Sequence, residues 1–209
     1  MTINVLTIER EYGSGAPAIA EKLAARLGWK LWDQQLTEEI ARYLECDKRH
    51  VETKEERQDP LTYRLMKAFM RGSLEGSQNA PRMHIADAEG IRRVTEKIVR
   101  KIAAQGQVVI VGRGSGYYLQ ECKDAFHVFI YAPFEEKVRR LESEGKSREE
   151  AIDLAENVDR DRFAFIKQHF GIDWPKRHFF QLMINSTLGE DAVVETIFDS
   201  IAAMQHRTS

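Results

Sequence analysis

The stretch Ile3-Asn-Val-Leu-Thr-Ile8 reads as a buried strand, and it empties into Arg10-Glu-Tyr-Gly-Ser-Gly15-Ala-Pro17 before a helical pattern takes over at Ala18. A strand that ends in a glycine-bearing turn and then a helix leaves the helix's first amides without internal partners. It also aims the positive end of the helix dipole back at the turn. Such a junction attracts anions, phosphates above all. The phosphate-binding pattern G-x-x-x-x-G-K-[ST] adds a lysine and a hydroxyl after its second glycine. With Gly15 on that second glycine, Arg10 falls on the first, Ala16 on the lysine and Pro17 on the Ser/Thr. The turn therefore predicts a cradle of Arg10, Gly13, Ser14, Gly15, Ala16 and Pro17 that lacks the usual point charge and metal-binding hydroxyl. Simple punctuation between strand and helix is the competing reading.

Apolar runs alternate with helical periodicity along the rest of the chain, the pattern of a parallel sheet covered by helices. After the first helix, stopped at Gly28, come a short strand Trp29–Trp32 and a helix from Gln34 to Tyr43. Cys46 to Pro60 is charge-rich and reads as a solvated connection or flap, Leu61 to Met70 as a helix, and 71–81 as a breaker. A long helix then runs to about Ala104. Strands follow at Gln107–Val111, Phe126–Tyr131 and Phe179–Ile184, with helices at Phe134–Glu144, Arg148–His169 and Val193–Met204. Thr187-Leu-Gly-Glu190 matches a capping box before the last of these. The expectation is one α/β domain over residues 1–209: a doubly wound, five-stranded parallel sheet with an inserted helical lobe at about 34–105.

At 209 residues and 43% hydrophobic, the chain can bury one sizeable core. Lys+Arg 31 against Asp+Glu 33 leaves a net charge of −2, which gives no support to a sequence-independent nucleic-acid binder. Cys46 and Cys122 stand alone without metal-ligand spacing, as expected in a reducing cytoplasm. Neither a leader-like segment nor an apolar run of membrane-spanning length is present, so no membrane partner is expected.

In an open parallel sheet, ligands collect at the carboxyl ends of the strands. Here those ends carry Arg10, Asp33 and Gly112-Arg113-Gly114. An arginine directly after a buried Val-Val-Ile-Val strand can clamp a phosphate or carboxylate with two parallel hydrogen bonds. A second basic cluster, Asp159-Arg160-Asp161-Arg162 with Lys167, Lys176 and Arg177, fits two readings. It is either a set of intrahelical ion pairs or a cationic lid over phosphates, at about 148–178. Arg139 and Arg140 are expected on a solvated helix face.

Taken in order, Ile8-Glu-Arg-Glu-Tyr-Gly-Ser-Gly15, Ile19 to Gly28, Trp32-Asp33, Val109-Ile-Val-Gly-Arg-Gly114, Ile130-Tyr-Ala-Pro133, Asp159-Arg-Asp-Arg162, Phe170-Gly-Ile-Asp-Trp174 and Leu182 to Thr187 resemble the cytidylate-kinase-like branch of the P-loop nucleoside monophosphate kinases. The resemblance spans nearly the whole chain. It implies transfer of a phosphoryl group from ATP, with Mg2+, to a nucleoside monophosphate such as CMP. It also implies that Asp33 and Arg113 face the acceptor and that Arg160 and Arg162 act as catalytic lid arginines. The chain departs from the family pattern at Ala16-Pro17, and at Gly114, where the true enzymes carry an acid. A nucleotide- or phosphate-binding protein without turnover, or an interaction protein on the same scaffold, stays open beside the enzyme. Homo-oligomerisation stays open too.

Overall fold

The computed structural model describes residues 2–48 and 88–206. Five strands form one sheet: β1 (Val5–Arg10), β2 (Lys30–Trp32), β3 (Val108–Val111), β4 (Ala125–Tyr131) and β5 (Leu182–Asn185). Their spatial order is β2-β3-β1-β4-β5 and every pairing is parallel. The helices among the described residues are α1 (Ala16–Leu27), α2 (Gln34–Lys48), α3 (Ala88–Ala103), α4 (Ser115–Tyr118), α5 (Phe134–Ser143), α6 (Arg148–Phe170) and α7 (Glu190–His206). The expected doubly wound α/β sheet is present.

Strand alternation sorts the core into two layers. Leu6 and Ile8 of β1 pack with Ile19 and Leu23 of α1 and with Val193, Ile197 and Ile201 of α7. On the other face, Val5 joins Leu36 and Ile40 of α2, Ile98 and Ile102 of α3, and Phe129 of β4. Every residue of β1 is buried, because helices cover both faces of a central strand. Each such Leu or Ile contributes about 1.5–3 kcal/mol by leaving water. That makes β1 the rigid rail on which the adjoining turn is mounted.

Several element ends differ from the sequence-based expectation, each for a visible reason. β1 continues past Ile8 to Arg10, since Glu9 and Arg10 pair in register with Phe129 and Ile130 of β4. Hydropathy hides this because the added residues are charged. β5 starts only at Leu182: Arg177–Phe179 forms a 3-10 turn, with Phe179 stacked on His127 and Phe180 tilted against Phe129. The capping box at Thr187 is not formed. Ser186–Leu188 is a 3-10 turn capped by the Asn185 side chain, which accepts from Thr187 N at 3.0 Å. α7 opens at Glu190, and the Gly189 carbonyl accepts its first helical bond, from Val193 N. α2 extends to Lys48, so Cys46 to Lys48 are helical rather than the start of a connection. The rest of the expected flap, the Leu61–Met70 helix and the breaker at 71–81 lie outside the described residues. α6 follows its signals closely, from the Ser147 cap that accepts Glu150 N–H to a left-handed Gly171.

His127 lies beneath the functional end of the sheet. Its Nδ1 accepts from Thr7 Oγ1 at 2.7 Å, and its ring stacks on Phe179 with centroids 4.9 Å apart. Burial pushes its pKa down from 6.5 to about 4, opposed only in part by a hydrogen bond to the Leu119 backbone. The unfolded chain therefore binds more protons than the native one between these two values. Stability from the neutral ring is fully present above about 6.5 and is lost as pH falls toward 4. A shift of this size amounts to about 3 kcal/mol at ~1.4 kcal/mol per unit. Urea unfolding between pH 7.5 and 4.5 should show that loss, and His127→Gln should flatten the slope relative to wild type.

Candidate phosphate and acceptor site

The turn after β1 takes its shape from two glycines. Gly13 and Gly15 have φ of 75° and 74°, a left-handed backbone that only glycine adopts cheaply. It is also crowded from outside. A Cβ on Gly13 would lie 3.0 Å from Cβ of Lys137, and one on Gly15 would lie 3.3 Å from Nη1 of Arg140. Helix α5 is thus laid across the turn. α1 begins at Ala16 with Pro17 in its first turn, where a missing N–H costs nothing. The side chain of Ala16 is fully buried among Ile19, Leu23 and other residues of the α1 layer, so the lysine position has become a core position. Ser14 is fully buried, with no hydrogen-bond partner for its hydroxyl among the described residues.

Three guanidinium groups gather at the strand ends beside this turn. Arg10, Arg113 and Arg162 are 5%, 2% and 5% exposed. Arg10 comes from the end of β1 and lies flat on Gly112, where an added Cβ would meet its Nη1 at 1.7 Å. Arg113 follows β3 in a run of three left-handed residues, Gly112, Arg113 and Gly114, with φ of 67°, 59° and 64°. For the arginine this backbone costs about 1–2 kcal/mol, a strain of the kind stored at functional sites. Its Nη2 donates to Thr37 Oγ1 on α2. Arg162 arrives from α6, donating to the Arg10 carbonyl at 3.3 Å and to Asp159 Oδ1 at 3.4 Å.

The charges feel one another. Burial and then the Arg10 charge push the Arg113 guanidinium down to about 9, while Asp33 and Glu9 partly support its charge and Arg162 opposes it. Glu9, 4% exposed, has its carboxyl pushed up by burial. Arg10, an N–H bond from Gly116, Arg162 and Arg113 pull it back down. Like charges held this close out of water repel strongly, so an incoming polyanion would relieve the strain.

Asp159 fastens α6 to the turn. Its Oδ1 accepts the Tyr12 N–H at 2.8 Å, and its Oδ2 meets Lys137 Nζ at 3.1 Å. Lys137 also pairs with Glu11 at 3.3 Å. The i,i+3 pair of Asp159 and Arg162 therefore exists, and the same two residues also grip the turn. The ion-pair reading of this stretch holds at Asp159 and Arg162.

Of the sequence-predicted site residues, Arg10, Gly13, Ser14, Gly15, Ala16, Pro17, Asp33, Arg113 and Arg162 gather at one end of the sheet. The Arg160 side chain is exposed, as are Lys176, Arg177 and Lys167, the last paired with Asp173. Arg140 is a correction: it is half-buried, bonded to Ser186 at 2.8 Å and 3.2 Å and to Glu136 at 3.1 Å, with its guanidinium at Gly15. Arg139 keeps to the solvated face as expected. Glu9, Thr37 and Lys137 were not legible as site residues. The sequence places Glu9 only as the first residue after the apolar run Ile3–Ile8, which carries no site signal.

The guanidinium groups and turn amides fit the phosphates of a nucleoside triphosphate. A protein-held magnesium ion fits less well, since Pro17 brings no hydroxyl and no group of three or more His, Cys, Asp or Glu suited to a metal occurs among the described residues. No described helix is long and apolar enough to cross a membrane.

This parallel sheet order, with the glycine turn leading from the central strand into a helix, is that of a P-loop kinase-type α/β protein. The sequence matches the Cytidylate kinase-like family over residues 5–188, and the chain belongs to that family. Among solved structures, an uncharacterized protein from Eubacterium ventriosum is similar at 19% identity and a TM-score of 0.68, over 95% of this chain and 98% of that one. Shikimate kinase from Acinetobacter baumannii, solved with shikimate, is similar at 17% identity and a TM-score of 0.52, over 97% and 94% of the two chains. Likeness at these identities speaks for the fold alone. No curated protein matches.

Gly112→Ala should expel the Arg10 guanidinium from its seat. Gly28→Ala is the control, since it has the same φ of 67° with nothing within 4 Å of its added Cβ. The control should lose about 1–2 kcal/mol in urea unfolding, the price of the left-handed backbone alone. The Gly112 variant should lose more, and its pyrophosphate affinity by calorimetry should fall at least about tenfold. Equal affinity in both variants would detach Arg10 from anion binding.

Proposed function

We propose that this protein is a phosphotransferase that moves the γ-phosphoryl group of ATP, supplied as its magnesium complex, to a nucleoside monophosphate of the CMP type or a related small acceptor. The observation that carries the reading is the gathering of three buried guanidinium groups at the carboxyl ends of β1 and β3, where the glycine turn begins. Phosphoryl transfer asks little covalent chemistry of a protein. Positioning and charge stabilisation supply most of the acceleration. In this reading the turn amides hold the donor phosphates, and Arg10 and Arg162 stabilise charge on the group in flight. Arg113, steadied by Thr37 and Asp33, holds the acceptor. The segment at about 34–105 serves as acceptor lobe. The segment at about 148–178 serves as a lid that brings Arg160 in when it closes. Magnesium travels with the nucleotide as part of the substrate. The partner is a small-molecule nucleotide in the cytoplasm.

A second reading, a nucleotide- or phosphate-binding protein with little turnover, is favoured by one observation. Ala16 is packed into the core, and Lys137, the lysine at the turn, has its ammonium engaged by Glu11 and Asp159. A missing phosphate ligand worth a few kcal/mol in the transition state slows turnover by about a hundredfold or more.

A thermal-shift panel of nucleoside mono- and triphosphates, with and without magnesium, should raise the melting temperature with ATP and with the acceptor. ATP consumption in the presence of CMP should fall at least about a hundredfold in Arg113→Ala and in Arg162→Ala, on the scale of a lost charge-stabilising donor. Tight ATP binding with no product would move the protein to the second reading. Turnover unchanged in both variants would sink the residue roles.

A further inference from the structure

Glu9 is a carboxylate that the site as described so far does not use. By strand alternation it shares the face of Thr7 and Val5, and it stands in register with Phe129 of β4. That is the face covered by α2, α3 and α4. Its lower half is fully occupied, by the Thr7–His127 bond and the ring of Phe179. One Glu9 carboxyl oxygen takes the N–H of Gly116, while Oε1 is buried without a partner among the described residues. The hydroxyl of Tyr117, on the next residue of α4, is also buried and unpartnered. Its pKa is raised by burial and, to a lesser degree, by the Glu9 charge. An orphaned carboxyl oxygen and an orphaned phenol, on residues 4% and 3% exposed, thus lie in one buried region, and the Glu9 carboxyl sits within the field of the three guanidinium groups. Buried polar atoms left unpaired are destabilising, and a catalytic or binding role is one reason for a fold to keep them.

The geometry points to Glu9 as a catalytic residue that contacts the nucleophile of the transfer, and to a hydroxyl group, rather than a phosphate oxygen, as that nucleophile. This rests on the phosphotransferase reading and narrows its acceptor class. A phosphate acceptor is already deprotonated at its attacking oxygen and needs no base; an ionised carboxylate beside it would repel it. A hydroxyl needs an acceptor for its proton. In the step, the hydroxyl oxygen forms a bond to the γ-phosphorus as the bond from that phosphorus to the β,γ-bridging oxygen breaks. The electron pair leaves on ADP, and the hydroxyl proton passes to Glu9 Oε1. Arg113, off the line of attack, suits an anionic group elsewhere on the acceptor, so the class is a small alcohol carrying a carboxylate or phosphate. The groups that face Glu9 are Arg10 on its own strand, Arg113 after β3, Arg162 on α6, and Tyr117 with the Gly116 N–H on α4. Burial makes the carboxylate more basic than one in water, and the arginines pull it partly back toward the ionised form.

Transfer to water, the simplest hydroxyl, tests this without knowledge of the acceptor. Phosphate release from MgATP should lose activity on an acid limb lying above the ordinary glutamate value of 4.5. Glu9→Gln should cut that release at least about a hundredfold and erase the limb, with MgATP affinity and melting temperature held near wild type. Glu9→Asp should restore part of the rate. Should Glu9→Gln fail to fold, Tyr117→Phe takes its place, with the limb moved to a different pH as the expected result. With CMP, D-glycerate and cytidine offered separately, 31P NMR distinguishes the linkages: phosphoester products support the inference. A phosphoanhydride formed from CMP at equal rates by wild type and Glu9→Gln overturns it and leaves the phosphotransferase reading standing. ATP bound, with neither phosphate nor product released by any form, overturns both.

Discussion

Three arginines held out of water within reach of one another are an expensive arrangement, and most of the structure around the site exists to make it tolerable. The Coulomb repulsion among them is large in a poorly screened interior. It is offset locally: Thr37 takes a donor of Arg113, the Arg10 carbonyl and Asp159 take those of Arg162, and Glu9 and Asp33 lend negative charge. These partners come from β1, α2 and α6, so the guanidinium cluster also acts as the clasp that joins those elements. The residual positive field is what a phosphate chain would complete.

The fold makes that clasp rigid. β1 is central and buried on both faces, and its last residues are clamped to β4 as far as Arg10. The glycine turn therefore starts from a fixed point. It is pinned by α5 through Lys137 and Arg140, and by Asp159 of α6 on the Tyr12 amide. Many phosphate turns of this kind carry their own lysine. Here the position is filled by Ala16, which packs into the apolar layer instead. Positive charge is supplied nearby by Arg10 at the end of β1, Arg113 after β3 and Arg162 on α6.

Under the proposed function, backbone amides and arginines serve the donor, and Glu9 and Tyr117 bring the acceptor buried oxygens with hydrogen-bonding capacity to spare. Specificity for one acceptor over another would then rest on these groups, which a wrong ligand would leave unpaired.

The alternation of apolar runs with helical periods was enough to establish a parallel α/β sheet, and Gly15 followed by Pro17 was enough to mark the turn that leads from β1 into α1. Both are local properties: strand burial and left-handed turns are written in neighbouring residues. The family pattern carried Asp33, Arg113 and Arg162 to the same place. What the sequence left undecided is long-range. Nothing local says that Arg140 turns inward to Ser186 while Arg139 stays in water, since the two share a helix and a charge. Nor does spacing say that Asp159 spends its second oxygen on Lys137, or that Glu9 lies inside a strand rather than in a loop. Those outcomes depend on which helix packs over which strand end, and only the assembled sheet brings residues 9, 113 and 162 within one another's field.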